Sequence, residues 1–265
     1  MLPRHFNVIA LSLTIVFTGA CGAGAEGARE LAPTGSLRVA VSVGPAPSAF
    51  WATRDPASGK PRGVTVELAK AAAEKLQVPL QLVEYPNSGE IAAASGKDAW
   101  DISFMPADAE RGEKFVDQGP AYVVYTSGYL VRAGSDIGSV DDVDRAGVRV
   151  GCIDGTSTSH TVAKALKHAT LATFAKPEAA VERIGNGQLD ALAMGMEALE
   201  DLAKKLPGTR VLDQVIQSTG VVVVVPKGHA ASRDWAAHFM EEAKADGTVR
   251  RALDIGGLAH VKVAP

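Results

Sequence analysis

The apolar positions of this chain change period repeatedly, and the changes mark its elements. The run LRVAV over 37–41 lies between Gly35 and Gly44 and predicts a strand. A loop over 44–51 follows, and the turn-rich stretch 54–62 predicts an exposed hairpin. Over 64–76, Val66, Ala69, Ala73 and Leu76 fall on one helical face, with Lys70, Glu74 and Lys75 outside it, which predicts an amphipathic helix. A strand over 80–85, a short helix over 87–95 and a strand over 101–105 come next. The alternation resumes with strand 148–153, helix 157–167, strand 171–174, helix 177–185, strand 189–194, helix 196–205 and strand 210–212. The valines at 221–225 form a continuous apolar run, as expected of a fully buried strand. Helices over 230–245 and 248–255, broken at Asp246 and Gly247, close the chain. Strands alternating with helices predict a parallel sheet covered by helices. Two such series, joined by an extended crossover over 122–128, predict two α/β lobes.

Composition fits that picture. Of 265 residues, 46% are hydrophobic and 22% charged, so a packed core is expected rather than disorder. The net charge of −3 shows no basic stripe, which argues against a nucleic-acid partner. The N-terminus reads as an export signal: Arg4 and His5 precede the apolar run 6–17, which is too short to span a bilayer. Thr18, Gly19, Ala20 and Cys21 resemble a bacterial lipoprotein processing site, with Thr18 where leucine is usual. Ala23, Gly24 and Ala25 offer ordinary cleavage before Glu26. Removing 1–25 takes away one charge, Arg4, and moves the net charge from −3 to −4. Residues 1–25 are thus read as signal peptide and tether start, and 26–35 as part of a flexible tether over 22–35. Cys21 and Cys152 are the two cysteines. With Cys21 lipidated or removed, Cys152 is alone inside an apolar strand pattern and reads as a small buried hydrophobe.

Two stretches carry the candidate chemistry. The first, 100–111, is a buried strand running through a tight loop to a helix start, and it delivers Arg111 just past the strand end. The second, 151–157, places the backbone N–H groups of Thr156 and Ser157 at a helix N-terminus. A guanidinium and a helix N-terminus are two ways of holding one carboxylate. The two stretches are therefore read as facing each other across a cleft that takes a small anionic or zwitterionic solute. Structural readings stand beside this: Arg111 as a helix-surface arginine, Asp108 as an N-cap three residues before it, and Thr156 and Ser157 as caps. Phe50 and Trp51 are read as core or as ligand-stacking aromatics, Met105 as a pocket wall, and Met194 and Met196 as core filler. His160 and His168 flank a Lys-rich helix and read as solvated. No histidine spacing suggests a metal, and no phosphate loop or nucleophile elbow occurs.

From Leu37 onward these marks, in order, resemble a known family. They are LRVAV leading to Phe50, GVTVELA (63–69), SGKDAWD (95–101), Glu110 with Arg111, GPAY (119–122), GVRVG (147–151) leading to Gly155 and Thr156, GQLDA (187–191) and ADGT (245–248). The chain is similar to a divergent branch of the extracytoplasmic solute-binding proteins of family 3, the polar amino-acid type of ABC importers. The resemblance implies a type II periplasmic-binding-protein-like α/β fold of two lobes, two crossovers and a central ligand cleft. It implies lobe 1 over 36–122 and 221–265, lobe 2 over 127–216, and crossovers at 123–126 and 217–220. It gives Arg111 the role of holding a ligand α-carboxylate, Thr156 that of adding donors to it, and Phe50 or Trp51 that of packing on the ligand side chain. Two positions depart from the pattern. Gly195 stands where the family has the aspartate that binds the α-ammonium, and the loop Met105-Pro106-Ala107-Asp108 is about two residues shorter and lacks the usual Ser/Thr contacts. Asp108 or Glu197 then replaces that carboxylate, or the ligand has no ammonium group.

The expected function is the binding component of an ABC importer, periplasmic or otherwise extracytoplasmic, capturing a small carboxylate or zwitterion by lobe closure. Its partners would be a permease and its ATPase, its membrane contact only a lipid on Cys21, and it would act as a monomer without cofactor or catalysis. A dehydratase-like enzyme of the same fold, with Asp108 or Glu197 as general acid, and a sensory module are the alternatives.

Overall fold

In the computed structural model, residues 21–43 and 50–265 are described; residues 1–20 of the expected export signal and 44–49 of the loop before Phe50 lie outside them. The chain begins with α1 (Cys21–Glu30), β1 (Leu37–Ser42), the hairpin β2 (Thr53–Arg54) and β3 (Pro61–Arg62), α2 (Val64–Leu76), β4 (Leu80–Tyr85), α3 (Ser88–Ala93), β5 (Ile102–Pro106) and α4 (Ala109–Lys114). A long strand, β6 (Val116–Arg132), leads to β7 (Arg149–Ile153), α5 (Ser157–Ala165), β8 (Thr170–Phe174), α6 (Pro177–Gly185), β9 (Ala191–Gly195), α7 (Met196–Lys205) and β10 (Thr209–Val211). The chain then returns through β11 (Gln217–Pro226) to α8 (Ala230–Ala245) and α9 (Thr248–Ile255).

The strands join in the order β4-β1-β5-β11-β6-β9-β7-β8, with β10 also on β6. At each end the pairing is parallel, β1 with β4 and β5, and β7 with β8 and β9. The middle is antiparallel: β6 pairs with β11 over its first part and with β9 and β10 over its last. The stretch 122–128, expected to be an extended crossover, is extended and lies within a 17-residue strand. Its extended backbone finds ladder partners in β11, which satisfies groups that a free linker would leave to water.

Two sets of apolar cores lie on either side of this shared ribbon. Leu37, Phe50, Leu68, Phe104, Val223 and Phe239 belong to the first lobe's main core, and Val150, Cys152 and Ala193 to one of the second lobe's. The valine run in β11 is buried at every position, as its continuous apolar pattern predicts. Cys152 is buried, and burial pushes its thiol up to about 12, so it is an apolar filler rather than a nucleophile.

The stretch read as a flexible tether differs. Cys21–Glu30 is helical and packs on α8. A Cβ on Gly27 would run into the Ala231 carbonyl and stand 2.9 Å from Trp235 Cβ, so the glycine permits the close approach. The Glu30 carboxylate accepts from the Ser232 N–H at 2.8 Å and from its hydroxyl at 2.7 Å, at the N-terminus of α8. Leu31 joins the main core of the first lobe. A glycine that signals flexibility in isolation here serves close helix packing.

Candidate functional site

The cleft forms where the C-terminal ends of β5 and β7 face each other. β5 ends at Pro106, and two residues later Asp108 caps α4 by accepting the Arg111 N–H at 2.9 Å. That cap turns the chain so that Arg111 points inward; only 2% of it is exposed. Its Nη2 donates to the Gly155 carbonyl of the second lobe at 2.7 Å and to Ser88 Oγ at 3.1 Å. Nε also reaches Gly155 O at 3.3 Å, and Nη1 lies 3.6 Å from Met105 Sδ. Burial pulls the guanidinium pKa down to about 10, so it stays charged at neutral pH. Among the described residues its hydrogen-bond partners are neutral, and the nearest electrostatic support comes from Asp108.

From the other side, β7 runs through Gly155, in the left-handed region at φ 63°, into α5. Thr156 caps this helix: its Oγ1 accepts the Ser159 N–H at 3.1 Å and donates to Ile153 O at 2.8 Å, which commits its hydroxyl. Ser157 is different. Its residue is 1% exposed, and its Oγ has no hydrogen-bond partner among the described residues. An unpaired buried hydroxyl costs free energy, on the order of 1–3 kcal/mol, unless something accepts or donates to it.

Between the lobes lies a cavity of about 100 Å³. Ser88, Trp51 and Tyr125 line it together with Thr156, Ser157, Thr158, Gly195 and Glu197. Arg111 and Met105 do not line it; Arg111 stands behind Ser88, and Met105 is buried beside the guanidinium. Trp51 faces the cavity, whereas Phe50 is fully buried in the core and meets the Trp51 ring edge-on at 5.1 Å. Gly195 ends β9, and Glu197 sits in the first turn of α7. Burial is the main cause of the raised Glu197 pKa, with repulsion from Glu200 adding to it. Its proton is held more tightly in the folded protein, so stability present below the ordinary glutamate pKa is lost as pH rises through the folded value. Glu197→Gln is therefore expected to raise the melting temperature near pH 7 and to change it less near pH 4; equal shifts at both would show that no charge is buried there.

The lobes make further contacts. Asp108 Oδ2 lies 3.0 Å from His160 Nδ1 on α5, and Asn87, which lines the cavity, donates from Nδ2 to Ala175 O at 2.8 Å. Burial acts to raise the Asp108 pKa, but the Arg111 N–H, His160 and nearby positive charge outweigh it and leave it lowered. His160 was expected to be solvated. It instead packs against the opposite lobe with its side chain 24% exposed, because α5 carries it to within reach of the α4 cap. Tyr125, Ser88 and Thr158 are among the site residues that sequence reasoning missed, and Met194, expected as core filler, also lines the cavity. Tyr125 lay inside the stretch read as a crossover, and only its aromatic character in a cleft-crossing segment hinted at a role.

The family model for bacterial extracellular solute-binding proteins, family 3, matches residues 37–254, and the chain belongs to that family. A glutamine-binding protein of Geobacillus stearothermophilus is 26% identical over 168 residues, 62% of this chain and 64% of that protein, a little under two thirds of its length. The ABC transporter glutamine-binding protein GlnH of Bacillus subtilis is 22% identical over 201 residues, 75% of this chain and 73% of its own. Among solved structures, the solute receptor for L-cysteine of Neisseria gonorrhoeae superposes with a TM-score of 0.79 at 21% identity, covering 90% of this chain and 99% of that one. An ancestral amino-acid-binding protein described as a precursor of cyclohexadienyl dehydratase gives 0.73 at 25% identity, covering 86% and 97%. The fold is thus the two-lobed type II arrangement of periplasmic binding proteins.

Proposed function

We propose that this protein is the extracytoplasmic solute-binding component of an ABC importer and that it captures a small carboxylate-bearing solute, an amino acid or related organic acid, by lobe closure. The solute is then handed to a permease driven by its ATPase, without turnover. In this reading 36–122 and 221–265 form one lobe and 127–216 the other, hinged at 123–126 and 217–220, and the molecule acts as a monomer. The observation that carries the proposal is the pairing of a buried, charged Arg111 on one lobe with a Ser157 hydroxyl, unpartnered among the described residues, at the N-terminus of α5 on the other. A carboxylate entering between Ser88 and Ser157 takes the donors that Arg111 now gives to Gly155 and the helix N-terminus leaves open. Thr156 keeps its capping bonds and contributes its backbone. Trp51 packs on the rest of the solute, with Phe50 backing it. Glu197, the acid lining the cavity, takes over an ammonium group at the place where Gly195 carries no carboxylate; Asp108 is already engaged by His160.

Native mass spectrometry of the purified protein tests this by weighing any co-purified solute. In a thermal-shift screen, a true ligand at about 100 times its dissociation constant should add roughly 2.7 kcal/mol of stability. A protein that no amino acid or organic acid stabilises does not bind this class. Turnover of a cyclic carboxylic acid, lost in Glu197→Gln, would instead favour the enzyme reading, because a buried acid of raised pKa suits a proton donor.

The protein is held at the membrane only by a lipid on Cys21 in this reading. Among the described residues no helix is long and apolar enough to cross a bilayer. Cys21→Ser is expected to move the protein from the detergent to the aqueous phase in phase partitioning and to leave solute affinity unchanged. An unmodified chain starting at Glu26 would remove the anchor.

A further inference from the structure

Resting on the solute-binding reading, we propose that Tyr125 is the specificity-determining residue of the cleft: its ring fills the space beside Gly195, which limits the solute to a small one and bars any side chain at position 195. Tyr125 sits on β6 opposite Thr219 of β11, where the ribbon passes between the lobes. Ser127, two residues further on, pairs with Gly195 across the sheet. Residues two apart project from the same face of a strand, so the Tyr125 side chain leans over the end of β9. The fit there is tight. A Cβ on Gly195 would stand 2.5 Å from Tyr125 Oη, 2.6 Å from Cε2 and 2.8 Å from Cζ.

The ring has little room to retreat. Its centroid is 5.5 Å from that of Trp51 at 57° and 5.9 Å from that of Phe50 at 58°. Phe50 is fully buried in the main core of the first lobe, so it blocks movement away from the cavity. Tyr125 is thus wedged between an aromatic corner and a glycine, with its own surface lining the pocket. The cavity left, about 100 Å³, is well under the roughly 300–1,000 Å³ usual for small-molecule sites. Removing the ring would join its volume to that cavity. The pair also explains why the aspartate implied by the family resemblance is missing at 195: no side chain fits there while Tyr125 holds its place.

Calorimetry and thermal shift with L-amino acids graded by side-chain size, and with short dicarboxylates, test the proposal on the wild type, Tyr125→Phe and Tyr125→Ser. Tyr125→Phe keeps the ring and should keep the wild-type ranking. Tyr125→Ser should move the ratio of dissociation constants, large solute against small, by about tenfold or more toward the large one. Should Tyr125→Ser not fold, Tyr125→Leu serves the same comparison. Gly195→Ala should lower the melting temperature in the wild-type background and much less beside Tyr125→Ser, a non-additivity expected only of residues in contact. An unchanged ranking in Tyr125→Ser, or in Tyr125→Leu where it takes its place, or an equal cost of Gly195→Ala in both backgrounds, overturns the assignment while wild-type binding still supports the broader reading. A wild type that binds no member of the panel removes that reading and this inference together.

Discussion

Arg111→Ala is expected to weaken solute binding by about 3–5 kcal/mol, as for removing one partner of a desolvated charged pair. At about 1.4 kcal/mol per factor of ten, that is a loss of some hundredfold to a few thousandfold. The expectation comes from burial: the guanidinium is 2% exposed and its donors go to neutral groups, Gly155 O and Ser88 Oγ. A buried guanidinium with no carboxylate among its own hydrogen-bond partners in the described residues is prepared for one. Arg111→Lys should recover only part of the loss, since an ammonium cannot reproduce the two-pronged fork. A purely structural arginine would also lower affinity by releasing the Gly155 loop, so the decisive reading is chemical selectivity. The wild type should prefer the free acid over its carboxamide analogue, and Arg111→Ala should lose that preference. Retained preference in the variant would place the carboxylate elsewhere.

Gly89→Ala is expected to hinder closure and to cost about 1–3 kcal/mol of binding, the usual penalty of overpacking a fitted contact. Gly89 lies in α3, and a Cβ there would stand 2.7 Å from Asp154 O and 2.9 Å from Gly155 C and Cα. These are backbone atoms of the opposite lobe, which cannot rotate aside as a side chain would. The lobes must then part, which loosens the Arg111–Gly155 and Asn87–Ala175 hydrogen bonds together. The sign is informative, because within an isolated helix alanine is favoured over glycine by about 0.8–1 kcal/mol. If Gly89 had no part in closure, the variant would be more stable with affinity intact. Small-angle scattering should show solute-driven compaction in the wild type and a reduced change in Gly89→Ala. A differential contact made only when the lobes are shut is what allows a ligand to shift the open–closed balance.

Local pattern determined a large part of this protein. Periods of 3.6 and 2 over a dozen residues decide which face is buried, and they placed α2, α6, α7, α8 and α9 at the bounds found. The alternation of strands and helices led to two α/β units, and the strand-loop-helix pattern placed Arg111 and Ser157 at facing helix starts. Tertiary structure decided the rest. The Arg111 bond to Gly155 spans 44 residues and the Asp108–His160 contact 52. Helix periodicity carries no information over such separations, so His160 read as solvated and Tyr125 only as part of an extended crossover. The Gly- and Ala-rich stretch before Glu30 reads as a tether because its glycines and the absence of an apolar stripe give no sign of an ordered element, and it is helical and packed on α8, where Gly27 lets the two helices come close. Which donors meet which acceptors across the cleft is set by how the lobes pack, and no single segment contains that information.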